Sequence, residues 1–219
     1  MKTVIKFMKT GRAVYMSHLD LQRALLRGLR RSGLTPVYSS GFNPHPKMSL
    51  ALPLTLGFES LCEYLEVAIE GDQVISVDEL NRAMPEGVVV ISVDADGDAN
   101  AASRKSMASR VRYAEYDITA PQICDADRRL VEYLAQEHIY VEKENRKKGG
   151  TDTIDIRPLI ISFTTERNVG SRACYACVLS ASAGATLNPL ALTQSFYEFC
   201  DLKLDPADPV ITRTKIVTK

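Results

Sequence analysis

Long hydrophobic runs are missing from this sequence. The longest, residues 50–56 and 88–93, fall far short of the roughly 20 apolar residues that cross a bilayer. No helical membrane anchor is expected. Met1-Lys2-Thr3-Val4 leads straight into a strand pattern with no signal-peptide core, so the expected location is the cytoplasm. Cysteine is scarce and odd in number: of five, Cys62, Cys124 and Cys200 stand alone, which argues for reduced thiols over a disulfide framework. Cys174 and Cys177 have metal-ligand spacing, but they fall in a predicted strand, residues 172–182. Residues three apart on a strand point to opposite faces, and no second Cys or His pair is near, so no metal is expected. A Gly-rich phosphate loop and the cysteine set of an iron-sulfur cluster are also lacking. This disfavours nucleotide hydrolysis and cluster chemistry by the chain alone, and no cofactor is expected.

Acid is nearly absent from the amino-terminal quarter. Before Glu59 the only acidic residue is Asp20, against nine basic ones: Lys2, Lys6, Lys9, Arg12, Arg23, Arg27, Arg30, Arg31 and Lys47. The net charge of the 219 residues is zero, so this segment's +8 is balanced by −8 in the remainder. Such segregation points to a polyanion-facing surface, or to two halves that neutralise each other.

What is there reads as a folded α+β chain: 45% hydrophobic and 25% charged residues exclude disordered and fibrous classes. Strand patterns at 2–8 and 12–16 precede a helix opened by Ser17-His18-Leu19-Asp20 and stopped by Ser32-Gly33. Residues 36–40 and 48–54 read as extended, and 63–70 alternates as a half-buried strand. Ser76-Val77-Asp78-Glu79 opens a short helix, and 88–93 closes the series. The order β, α, β, β, α, β is the split βαβ, or ferredoxin-like, arrangement, an antiparallel sheet with helices on one face. A small, polar stretch at 94–109 follows. A second series then runs through a strand at 113–119, a helix at 125–137, strands at 139–143, 153–165 and 172–182, a helix at 189–200 and a strand at 210–217, with a turn at 145–151. Two ferredoxin-like domains are expected: a basic one at 1–94, a linker at 95–112, and a second at 113–219 with an extra hairpin.

The first helix has an oily face and an arginine face. At about 100° per residue from Leu21, the apolar positions fall between about 340° and 140°, and Arg23, Arg27, Arg30 and Arg31 between about 180° and 280°. Guanidinium forks match phosphate oxygens, and each contact releases counterions. The second constellation is residues 39–49, where Pro44 and Pro46 bracket His45 and Gly41 permits an unusual turn. Lys47 and Asn43 could bind phosphate there and Phe42 could stack on an unpaired base. His18, at the start of the arginine helix, could pair with His45 as acid and base in cleaving a phosphodiester. In Asp155-Ile156-Arg157-Pro158-Leu159 an alternating strand would put Asp155 and Arg157 on one face, as an ion pair or as an extension of the anion site.

Lys9-Thr10-Gly11-Arg12, Met16-Ser17-His18-Leu19-Asp20, Tyr38-Ser39-Ser40-Gly41-Phe42-Asn43-Pro44-His45-Pro46-Lys47, Leu52-Pro53-Leu54 with Gly57 and Glu59, and Asp155-Ile156-Arg157-Pro158-Leu159 resemble the radical SAM-linked protein family, over nearly the whole chain. The resemblance implies a bacterial accessory protein acting with a radical SAM enzyme, encoded near ribonuclease and ribosomal-protein genes. It names a context and supplies no reaction.

The leading expectation is a non-catalytic, RNA-binding or substrate-presenting partner of a radical SAM enzyme in rRNA or tRNA modification or processing. Arg12, Arg23, Arg27, Arg30, Arg31, Lys47 and Arg157 would hold phosphates, and residues 42–45 would meet the nucleotide or the enzyme. The alternatives are a metal-independent endoribonuclease using His18 and His45, and a protein-docking module that touches no RNA.

Overall fold

The computed structural model of the chain describes residues 1–71, 73–96, 105–144 and 149–219. It is a mixed α+β structure in which the strand pairings of known register are antiparallel. The chain divides into two compact units, Met1–Val111 with Thr218–Lys219, and Arg112–Val217. Among the described residues no helix is long and apolar enough to cross a membrane.

In the first unit, β1 (Lys2–Lys9) is followed by a 3-10 turn at Gly11–Tyr15 and by α1 (His18–Arg31). Next come β2 (Met48–Leu50), β3 (Glu59–Ala68), α2 (Val77–Ala83), β4 (Val88–Asp96) and a single helical turn, α3 (Met107–Arg110). The strand order is β4-β1-β3-β2. Ile5 and Phe7 of β1, Leu65 and Val67 of β3 and Val88 and Val90 of β4 form one core with Leu21, Leu25 and Leu29 of α1 and Leu80 of α2, so both helices cover one face. Gly28 faces the end of α2: a Cβ there would lie 2.6 Å from the Met84 sulfur, so a larger residue would require the flexible Met84 side chain to move.

The second unit contains β5 (Val111–Pro121), α4 (Ala126–Leu134), the hairpin β6 (Tyr140–Glu144) and β7 (Thr151–Asp155), β8 (Ile160–Val169), β9 (Arg172–Ser182), β10 (Ala185–Thr186), α5 (Pro189–Phe199) and β11 (Val210–Thr218). Its order β11-β5-β9, with β8 on the outer side of β9, repeats that of the first unit, and the β6–β7 hairpin is the addition. Its core is aromatic: Phe196 of α5 meets Tyr133, Phe163 and Tyr175 with ring centroids 5.3–6.0 Å apart.

Four local expectations are corrected. Where a strand is expected at 12–16, the 3-10 turn Gly11–Tyr15 wraps the Lys9 ammonium, which donates to the Val14 and Met16 carbonyls at 3.1 and 3.2 Å. Residues 36–40 make only the isolated bridges Pro36↔Ile69 and Tyr38↔Pro46, since the prolines lack ladder donors and the chain folds back on itself. The strand expected at 153–165 is broken by a 3-10 turn at Arg157–Leu159. Pro158 has no N–H there, and the Asp155 carboxylate accepts the Arg157 backbone N–H at 3.0 Å. The helix expected at 125–137 is also shorter, ending at Leu134. Part of the expected linker, 97–104, and part of the expected turn, 145–148, lie outside the described residues. Cys174 and Cys177 do alternate, one half-buried and one buried, and burial pushes the Cys177 thiol up.

Candidate functional site

The site is built from one flank of α1 and the loop before β2. Ser17 caps α1: its hydroxyl accepts the Asp20 N–H at 3.2 Å and donates to the Asp20 carboxylate at 2.7 Å. That hydroxyl, and then the Arg23 guanidinium, hold the Asp20 carboxyl below its ordinary range.

The four arginines of α1 have separate tasks. Arg23 lies 3.3 Å from Asp20, and Arg27 Nε donates to the Arg23 carbonyl at 3.3 Å. The Arg30 guanidinium lies over the Tyr38 ring, 5.7 Å from its centroid, and donates to the Tyr38 hydroxyl. Arg31 donates to the Ala83 carbonyl at the end of α2. Arg31 therefore staples two helices, whereas Arg23 and Arg27 are exposed and bond within α1. Lys9, counted with the basic surface in the sequence, is only 1% exposed and belongs to the interior.

The loop from Tyr38 to Lys47 is a closed turn. Ser39 N–H donates to the His45 carbonyl at 2.8 Å, His45 N–H donates to the Ser39 hydroxyl at 3.0 Å, and Lys47 N–H donates to the Val37 carbonyl at 2.8 Å. Gly41 has φ +130°, a backbone conformation side chains disfavour, and Phe42 beside it at the tip is fully exposed. Asn43, His45 and Lys47 are exposed, as is Arg12 in the 3-10 turn.

Between helix flank and loop lies a groove of about 400 Å³ lined by Leu19, Gln22, Arg23, Leu26, His45, Pro46 and Met48. It brings Arg23 and His45 together over an apolar floor. His18 is not in its lining, but its Nε2 lies 3.2 Å from the Gln22 amide, which is. A forked cation, an imidazole, an apolar floor and an exposed ring nearby could hold a phosphate beside a planar base.

Sequence reasoning found Arg23 and His45 but missed Leu19, Gln22, Leu26 and Met48. The signal was present. At about 100° per residue, Gln22, Leu26, Leu19 and Arg23 fall together between about 100° and 200°, the border between the oily and arginine faces.

The third histidine was also missed. His138 Nδ1 lies 2.8 Å from Asp155, whose other oxygen accepts the backbone N–H groups of Ile139 and Arg157 at 3.0 Å each. Arg157 Nε donates to the Leu134 carbonyl at the end of α4, so no strand face joins it to Asp155. Among the described residues no group of three or more His, Cys, Asp or Glu stands close enough to hold a metal.

No curated protein matches the chain in sequence. Among solved structures it is similar to a chain of a Cbf5-Nop10-Gar1 complex, at 8% identity and a TM-score of 0.52, over 98% of this chain and 48% of that one. This chain thus spans about half the length of that relative, and the likeness concerns the fold alone. A protein described as a glycine cleavage system transcriptional repressor aligns over 100% of this chain and 98% of its own at 11% identity, with a TM-score of 0.25, too low to bear on the fold. Over residues 2–189 the sequence matches the family described as "Uncharacterized protein conserved in bacteria (DUF2344)", and the chain belongs to that family.

Proposed function

We propose that the first unit holds RNA, and that the chain is a non-catalytic, substrate-presenting accessory of a radical SAM enzyme in cytoplasmic rRNA or tRNA modification or processing. The observation that carries this reading is the groove shared by Arg23 and His45, with Phe42 fully exposed on the adjoining loop. Arg23 and Arg27 would take consecutive phosphates, with Arg12, Lys47 and the open side of Arg30 extending the track, while a base enters over Leu19, Leu26 and Met48. Asn43 would assist at the loop tip. The enzyme partnership rests on the motif resemblance described above. We also read each unit as a ferredoxin-like domain, from the shared strand order.

A second reading, a metal-independent endoribonuclease, is favoured by one feature: His18 contacts Gln22, which lines the same groove as His45. One experiment separates the readings. The full chain is incubated with a pool of bacterial tRNA and rRNA fragments, and both retention and cleavage are read for wild type, Arg23/Arg27→Ala and His45→Ala. Retention without cleavage, lost in the arginine variant, supports the presenter. Cleavage that His45→Ala abolishes while retention persists supports the nuclease. Absence of both leaves a protein-docking role for the basic surface and overturns the RNA reading.

A further inference from the structure

A second groove, of about 350 Å³, opens on the other face of the first unit's sheet. The register puts Val4 opposite Glu66, and Lys6 opposite both Tyr64 and Ser92, alternating with the core residues Ile5 and Leu65. These side chains therefore point away from α1 and α2. Lys2, Lys6, Tyr64, Glu66, Asp94 and Lys105 supply its chemistry.

Part of this set is internally satisfied. Lys2 pairs with Glu66 at 3.3 Å, and the second Glu66 oxygen accepts the Met107 N–H at 2.9 Å. The remainder is available: Lys6 lies over the Tyr64 ring, 5.9 Å from its centroid, and among the described residues Lys6, Lys105 and Asp94 form no ion pair. Among the described lining residues, with Arg110 at the rim, four are cations and two are carboxylates, an excess of two positive charges. A dianionic phosphate matches that excess, and an amino-acid zwitterion does not. The volume is in the range of small-ligand sites.

We propose that this groove binds a nucleoside monophosphate unit. Lys6 and Lys105 take the phosphate, the base lies against Tyr64, and Asp94 accepts a ribose hydroxyl. The groove and the Arg23–His45 groove lie on opposite faces of the sheet, so this site does not depend on the RNA reading.

The test is titration of the full chain, followed by NMR shifts, with AMP, adenosine, free tyrosine and a 5′-phosphorylated tetranucleotide. AMP is expected to saturate and to bind more tightly than adenosine or tyrosine. Read from the shifts of β1 and β3 residues at this groove, Tyr64→Leu and Lys6→Gln should each weaken AMP about tenfold, the scale of one stacking or phosphate contact, with melting temperatures unchanged, and the AMP affinity read there should be the same in Arg23→Ala as in wild type. AMP binding more tightly than the tetranucleotide assigns the site to a free nucleotide, and the reverse order assigns it to an oligonucleotide end. The proposal is overturned if neither saturates, if tyrosine binds as well as AMP, or if AMP affinity survives both Tyr64→Leu and Lys6→Gln. Loss in Arg23→Ala also overturns it, because the ligand would then sit in the other groove.

Discussion

Arg30 of α1 lies with its guanidinium over the Tyr38 ring and donates to the Tyr38 hydroxyl, tying the arginine helix to the start of the His45 loop. This tether and the turn that Ser39 and His45 close join the loop to the helix beside the groove. The contact is exposed, so its contribution is modest: about 1 kcal/mol for the hydrogen bond and about 0.5–1 kcal/mol for the ring contact. Tyr38→Leu should lower stability by about 1–2 kcal/mol in chemical denaturation and raise amide exchange across residues 39–47. Tyr38→Phe should recover the ring part only. Unchanged exchange in Tyr38→Leu would show that the backbone turn alone holds the loop.

Lys9 should behave as an interior residue and not as part of the basic surface. Its ammonium donates to the Val14 and Met16 carbonyls from a buried position. Losing charge-assisted bonds of this kind costs about 1.5–3 kcal/mol each. Lys9→Met is expected to lower the denaturation midpoint substantially while leaving the RNA affinity of the folded protein unchanged. A weaker affinity with a normal midpoint would return Lys9 to the surface.

The second unit should lose stability in acid through Asp155. Hydrogen bonds from His138 first, and from the Ile139 and Arg157 backbone, hold its carboxyl below the ordinary range. A carboxyl lowered on folding contributes stability that is present above its unfolded pKa and disappears as pH falls through the folded one. Melting temperature measured from neutral pH down into the acid range should therefore fall less steeply for Asp155→Asn than for wild type. Parallel curves would remove Asp155 from the acid response.

The elements with a strong local signal were legible in the sequence. The Ser17 and Ser76 caps, the apolar face at Leu21, Leu25 and Leu29, and the alternation of 172–182 each place an element correctly, because local spacing alone specifies them. The misreadings arose where distant groups decide the backbone. Residues 12–16 have strand-like composition, but the chain there wraps the ammonium of Lys9 in a turn. The run 153–165 looks continuous until Pro158 and the Asp155 carboxylate bend it. The site was half legible: Arg23 and His45 stand out as residue types, while Gln22 and Leu26 gain meaning only when the loop is seen against the helix flank. Lys6 and Tyr64 carry no motif, and strand pairing across 58 positions brings them together.

The salt dependence of RNA binding tests the central claim most directly. Each phosphate released from a single strand changes the slope of log K against log salt by about 0.7, so Arg23/Arg27→Ala should flatten the wild-type slope by about 1.4 and weaken binding at every salt concentration. Filter binding of the full chain to mixed tRNA and rRNA fragments across low and moderate salt measures it. A steep wild-type slope that flattens in the variant is the predicted result. No binding at low salt, or the same slope for both proteins, would contradict the account.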